Sequence, residues 1–255
     1  YSVPYMWGMV GIFYDKNEIK PEEVTWDILW NEKYKNRILM FDNARDSFAI
    51  SLLRLGYSVN TKNLDELKQA ANELVAQKPL VQAYVMDQIF NKIENHEAVL
   101  APYYAGDAAT IIKNSSDIGF VIPKSGSTRF VDSLCIPKNS KHKALAEKYI
   151  NFMCRTDIAL SNVKHTGYST PQKEAFNLLD EQTKNNKIFY PEKEVLDKSQ
   201  IFVPADVNEC MDKLWVEVKA GGVSSEPWVL GLILILFGIA YLFSWMIQKR
   251  RKKKS

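Results

Sequence analysis

The sequence predicts an α/β fold that continues into one membrane-spanning helix, on three observations. Apolar runs of strand length alternate with amphipathic helical periods from residue 9 to about 136, and from Ser140 the periods are helical almost throughout. That order is the one expected of a nearly complete α/β lobe followed by part of another. The third observation is residues 228–247, WVLGLILILFGIAYLFSWMI, a run of 20 without a charge. At ~1.5 Å per residue it reaches about 30 Å, the thickness of a bilayer's hydrocarbon core.

Residues 1–14, YSVPYMWGMVGIFY, begin as an extended Pro-containing segment and pass through Gly8 into a strand over 9–14. Trp26 to Trp30 is a short aromatic cluster, and Arg37 to Phe41 is a second buried strand. The polar turn Asp42, Asn43, Ala44, Arg45, Asp46 follows, then a helix from about Ser47 to Leu55 stopped by Gly56. A polar turn at the carboxyl end of a strand can face a ligand cleft. By spacing alone a plainer role is better supported, with Asp42 and Asn43 capping the helix and Asp46 favouring its positive end.

Residues 63–76 place Leu64, Leu67, Ala71, Leu74 and Val75 on one helical face behind a capping-box-like Asn63 and Glu66. A helical stretch is expected around 86–93, a short strand at 98–101, a turn over 102–108 and then a helix. Strands at 118–122 and 130–136 follow, the second containing Asp132. A carboxylate inside an apolar strand requires a cation or a set of donors. Further helices are expected at 141–153, with Leu145, Tyr149, Phe152 and Met153 on one side, at 156–163 capped by Thr156, and from Lys173. The last begins at a capping box of Asp206 and Glu209, carries the stripe Val207, Met211, Leu214 and Val218, and ends at Gly221.

Of 33 basic residues, six form the tail Lys249 to Lys254, leaving 27 against 30 acidic ones. The rest of the chain is therefore slightly acidic, which gives no reason to expect nucleic-acid binding. Cys135, Cys154 and Cys210 are widely spaced and odd in number, so they read as buried apolar cysteines rather than a disulfide framework or zinc site. His96, His142 and His165 show no ligand-like spacing, and no metal or cofactor is expected. No nucleophile–base motif or phosphate loop supports catalysis. Trp228 and Trp245 flank the membrane run, and the basic tail after it places Ser255 in the cytoplasm and residues 1 to about 225 outside, joined by the linker 221–227.

The segments YSVPYMWG, LWNEKYKNRILMFDNARDSF, RLGYSVNTKNLDELKQAANEL, VDSLCIPKNSKHKALAEKYINFMCR and GYSTP, in that order, resemble the polyamine (spermidine/putrescine) binding proteins of ABC importers. The likeness is collinear from Tyr1 to about Gly221 and leaves the apolar run outside it. It implies a type II periplasmic-binding-protein-like fold of two lobes closing on a linear polyamine, with the N-terminal part of lobe one missing here. Residues 1–128 then correspond to lobe two with its hinge strand and 129–220 to the C-terminal part of lobe one. After them come the linker 221–227, the helix 228–247 and the tail 248–255.

Carried over residue by residue, the resemblance puts Asn43 and Asp46 at two acidic positions of the amine site and Asp132 at the carboxylate that contacts the polyamine. Tyr104 and Phe130 fall where the family has tryptophans, and Tyr168 at a matching tyrosine; such rings pack on methylenes and offer a cation–π face. Asn43 loses a charge, Asp46 is shorter than the family's Glu, and Met86 replaces a serine. The implied partners are a polyamine, ABC permease subunits with their ATPase, and the membrane, and the upstream segment could be a fused permease. The competing class is a receptor ectodomain signalling through the helix, or a binding protein for another small organic cation. The few residues after 247 are too short for an output domain.

Overall fold

The computed structural model describes residues 2–204 and 207–221. The expected membrane helix at 228–247, the basic tail, most of the linker and Asp206 lie outside the described residues. Among the described residues no helix is long and apolar enough to cross a membrane.

Strand β1, Val3–Asp15, is the spine of a seven-stranded sheet. It is longer than the expected 9–14 because Pro4 is accommodated at a register shift between Pro4 and Met6, a place where a strand tolerates the missing donor. The other elements follow in order as β2 (Ile38–Phe41), α1 (Ala44–Arg54), α2 (Leu64–Gln77), β3 (Val81–Val85), α3 (Ile89–Glu94), β4 (Leu100–Tyr104) and α4 (Ala105–Asn114). Next are β5 (Ile118–Val121), β6 (Thr128–Leu134), α5 (Lys143–Met153), α6 (Thr156–Thr166), α7 (Lys173–Asn177), α8 (Glu181–Lys184), α9 (Lys193–Lys198), β7 (Gln200–Ile201) and α10 (Asn208–Ala220). The strand order is β3-β2-β4-β1-β6-β7, with β5 also on β1.

The first half of β1 pairs antiparallel with β6 over Val3 to Met9, and its second half pairs with β4 and β5 from Val10 to Asp15. One strand thus belongs to both hydrogen-bonded sets. The parallel strands β2 and β4 point their carboxyl ends toward the middle of β1, where α1 and α4 begin. The main core lies around β1, β2 and β4, with Phe13, Leu29, Ile38, Leu39, Phe48 and Leu74 fully buried.

Several expectations are corrected. Helix α1 starts at Ala44, not Ser47, because Asn43 Oδ1 accepts the Asp46 amide at 2.8 Å and so caps the helix earlier. Leu64 is 49% exposed, and the buried face of α2 is Leu67, Ala70, Ala71 and Leu74. Asn63 accepts from the Asp65 amide rather than serving a Glu66 box. The expected turn over 102–108 does not exist: β4 runs to Tyr104 and α4 starts at the next residue. Helix α6 continues to Thr166, with Arg155 rather than Thr156 at its N-cap, and Gly167 closes it in the left-handed conformation at φ 74°. On α5, Leu145 (67% exposed), Tyr149 and Phe152 face outward, so the apolar side that periodicity assigned to a core is uncovered among the described residues. On α10 the buried side is Met211, Trp215 and Val218, with Trp215 edge-on to Tyr84 at 5.3 Å. Cys135 and Cys154 are exposed free thiols rather than buried ones. His96, isolated in sequence, meets Asp15 and Asp117 at 3.2 and 3.0 Å.

Candidate functional site

Segments distant in sequence converge where β1 passes from one set of partners to the other. The first turn of α1 brings Arg45 and Asp46, β4 ends on Tyr104, β6 supplies Thr128, Phe130 and Asp132, Tyr168 follows Gly167, and Phe202 follows β7. These eight residues line one cavity of about 380 Å³. The β6 contribution follows from the strand period of two, which turns Thr128, Phe130 and Asp132 to the same side.

Asp46 is held before any ligand arrives. Its Oδ2 accepts from Tyr104 Oη at 2.8 Å and from Asn43 Nδ2 at 2.8 Å, and Asn43 Nδ2 also lies 3.8 Å from Met86 Sδ. Asn43 therefore does two jobs, capping α1 through its oxygen and orienting the carboxylate through its nitrogen. Burial first, and then the Asp46 charge, raise the Tyr104 phenol well above its ordinary range, so it stays a donor.

The rings form a continuous wall. Tyr104 meets Phe130 edge-on at 5.4 Å, and Phe130 meets Tyr168 at 6.1 Å. Two glycines seat them: a Cβ at Gly8 would stand 2.6 Å from the Phe130 ring, and one at Gly106 2.2 Å from the Tyr168 ring. Behind the wall Tyr168 Oη donates to Asp107 Oδ2 at 2.9 Å. Burial raises the Asp107 carboxyl above its usual value, opposed by that hydrogen bond and reinforced by the Asp87 charge.

Asp132 departs from expectation. The residue is exposed, since the outer half of β6 is open and its neighbour Val131 is 43% exposed. Loss of solvation at its carboxyl end still raises its pKa, and no cation pairs with it among the described residues. The cavity's own cation is engaged elsewhere. Arg45 lies 4.4 Å over the Phe202 ring and donates to the Val203 carbonyl at 2.7 Å.

Asp46, Asp132, Tyr104, Phe130 and Tyr168, singled out from sequence, are thus brought to one wall, with Asn43 one hydrogen bond behind. Sequence reasoning missed Thr128, Phe202, the wall position of Arg45, and Asp107. Period two from Asp132 back to Thr128 could have found the first; nothing local marks Phe202. A larger cavity of about 670 Å³, beside α5 and the start of β1, has Lys138, Lys143 and one carboxylate, Glu147, and no aromatic residue. The smaller cavity is the one that combines unpaired negative charge with facing rings.

The model of a family described as bacterial extracellular solute-binding protein matches residues 1–198. The chain belongs to that family. Its curated relatives include the spermidine/putrescine-binding periplasmic protein of Salmonella typhimurium, 35% identical over 223 residues, which cover 87% of this chain and 64% of that protein. The Escherichia coli protein of the same description is 38% identical over 197 residues, covering 77% of this chain and 57% of that one. The chain therefore spans less than two thirds of these relatives' length. Among solved structures, the Streptococcus pneumoniae spermidine/putrescine ABC transporter substrate-binding protein PotD superposes with a TM-score of 0.78 at 32% identity, covering 87% of this chain and 69% of that one. A putative spermidine/putrescine ABC transporter protein from Listeria monocytogenes gives 0.79 at 33% identity, with 86% and 69% covered. The fold is that of periplasmic binding proteins.

Proposed function

We propose that this chain is the substrate-binding component of an ABC importer for polyamines. The observation that carries the reading is the cavity itself, in which two carboxylates, Asp46 and Asp132, stand among the rings of Tyr104, Phe130, Tyr168 and Phe202. Ammonium groups pair with carboxylates, and the methylenes between them pack on aromatic faces that also attract the cation. The names of the Salmonella and Escherichia coli relatives support the same ligand class.

In this reading Asp132 receives one ammonium and Asp46 another, with Asn43 and Tyr104 fixing the second carboxylate. Residues 1–128 act as one lobe and 129–220 as part of the other, β1 being the strand shared between them. Permease subunits and their ATPase are the partners. Residues 228–247 tether the domain to the membrane, with the binding part outside and Ser255 inside; their apolar run and basic flank support this.

Equilibrium dialysis of the full chain against putrescine, spermidine, arginine and glutamate tests the ligand class. Retention of the two polyamines over both amino acids is expected. Equal retention of all four, or of none, would contradict the proposal.

A further inference from the structure

Thr128 is 2% exposed and lines the ligand cavity, yet its Oγ1 has no hydrogen-bond partner among the described residues. A buried hydroxyl without a partner has given up water for nothing, which the free protein tolerates only at a cost. The preceding Ser127 is not in that position: its Oγ donates to the Val10 carbonyl at 2.6 Å and its backbone amide donates to Ser199 Oγ at 3.0 Å. At the start of β6, Thr128 Oγ1 and the adjacent Arg129 Nε are both buried without a partner among the described residues, and of the two residues Thr128 is the one that lines the cavity.

Its place along the sheet says what it faces. β1 pairs Met9 with Arg129, so Thr128 stands one residue further on, level with Val10, whose partner on the opposite edge is Tyr104. Tyr104 in turn holds Asp46. Thr128 therefore shares the inner level of the cavity with the Tyr104–Asp46 pair, while Asp132 lies four residues along β6 at the exposed end, ~13 Å away at strand spacing. Asp46 brings one oxygen, Oδ2, already used twice, by Asn43 and Tyr104, and a second, Oδ1, with no hydrogen bond among the described residues. An ammonium has three N–H donors, more than that one carboxylate oxygen can take.

We infer that Thr128 supplies a neutral acceptor for the inner ammonium group of the ligand, next to Asp46, and so selects a primary amine at that end. The inference rests on the polyamine reading of the cavity. Rotation about χ1 exchanges the hydroxyl with the methyl position, so the side chain needs no backbone movement to present Oγ1.

The test uses the full chain, Thr128→Val and Thr128→Ser, titrated calorimetrically with putrescine and melted without ligand. Valine keeps the shape and removes the hydroxyl; serine keeps the hydroxyl. Thr128→Val should bind putrescine roughly tenfold more weakly, the size of one hydrogen bond to a charged group. Its ligand-free melting temperature should be equal to or above that of the parent, because an unsatisfied group is gone. Thr128→Ser should bind within about threefold of the parent. Parent-like binding by Thr128→Val overturns this inference alone, as does a fall in melting temperature that accompanies weaker binding, which would mark a purely structural role. Failure of the parent chain to bind putrescine removes the polyamine reading and this inference with it.

Discussion

Tyr104 donates its hydroxyl to Asp46 at 2.8 Å, joining the last residue of β4 to the first turn of α1. Together with the Asn43 Nδ2 bond to the same oxygen, it fixes the orientation of a carboxylate at a helix start. Tyr104→Phe keeps the ring against Phe130 and removes only the donor, so stability should fall by about 0.5–1.5 kcal/mol. Polyamine affinity should fall less than in Asp46→Asn, which loses the charge. Paired thermal melts and calorimetric titrations of the two variants check this ordering.

The glycine seats give a steric prediction. At Gly106 an added Cβ would meet three Tyr168 ring atoms at 2.2–2.3 Å, and at Gly8 it would meet Phe130 at 2.6 Å. Either ring would have to move away from its seat. Gly106→Ala and Gly8→Ala should each destabilise by about 1–3 kcal/mol. Because the displaced rings line the cavity, both should also weaken polyamine binding, as read by denaturant melts and titration on the same samples.

Asp107 and Asp132 both have carboxyl pKa values raised above the ordinary aspartate value, the largest cause in each being lost solvation. A group that binds its proton more tightly folded than unfolded makes stability fall as pH rises through the window between the two pKa values. Ligand-free protein should therefore gain stability on mild acidification through that window, just above the ordinary aspartate range. Binding runs the other way, since a cation requires ionised Asp132. Affinity should decline at a higher pH than a fully solvated aspartate would give. Titrations between about pH 4 and 8 follow both trends.

Thiol chemistry separates the cysteines. Cys135 and Cys154 are exposed and Cys210 is only partly so, and none is in a disulfide. Reagent access limits how fast a thiol is modified. Two equivalents should react quickly with a colorimetric thiol reagent in the folded chain and the third more slowly. Replacement of Cys135 and Cys154 by serine should abolish the fast phase.

Local signals carried much of the fold. The apolar run Ile38–Phe41 and the cap at Asn43 are short-range features, so β2 and α1 were legible with only the helix start displaced. Strand β3 was not, because VQAYV has only Val85 buried and no clean alternation for a period of two to reveal. Helix α5 was legible as a helix but not in its environment, since periodicity identifies an apolar side without saying what covers it. In the site, Asp46, Asp132, Tyr104, Phe130 and Tyr168 followed from the family resemblance. The double role of Asn43 was hidden because capping and carboxylate orientation call for the same residue at the same position. Asp132 was placed in an apolar strand, and the open outer half of β6 left it exposed. Phe202 and Arg45 meet only through tertiary contact.

The most direct measurement is calorimetric titration of the full chain and of Asp132→Asn with spermidine and putrescine. Asp132 is exposed, so in the proposed function its pairing with an ammonium is partly screened by solvent. Asp132→Asn should weaken both polyamines at least tenfold, about 1.4 kcal/mol, while leaving the melting temperature of the ligand-free chain within a degree or two. Saturable binding by the parent chain and its loss in the variant is the result this account predicts. Undiminished binding of either polyamine by Asp132→Asn would contradict it.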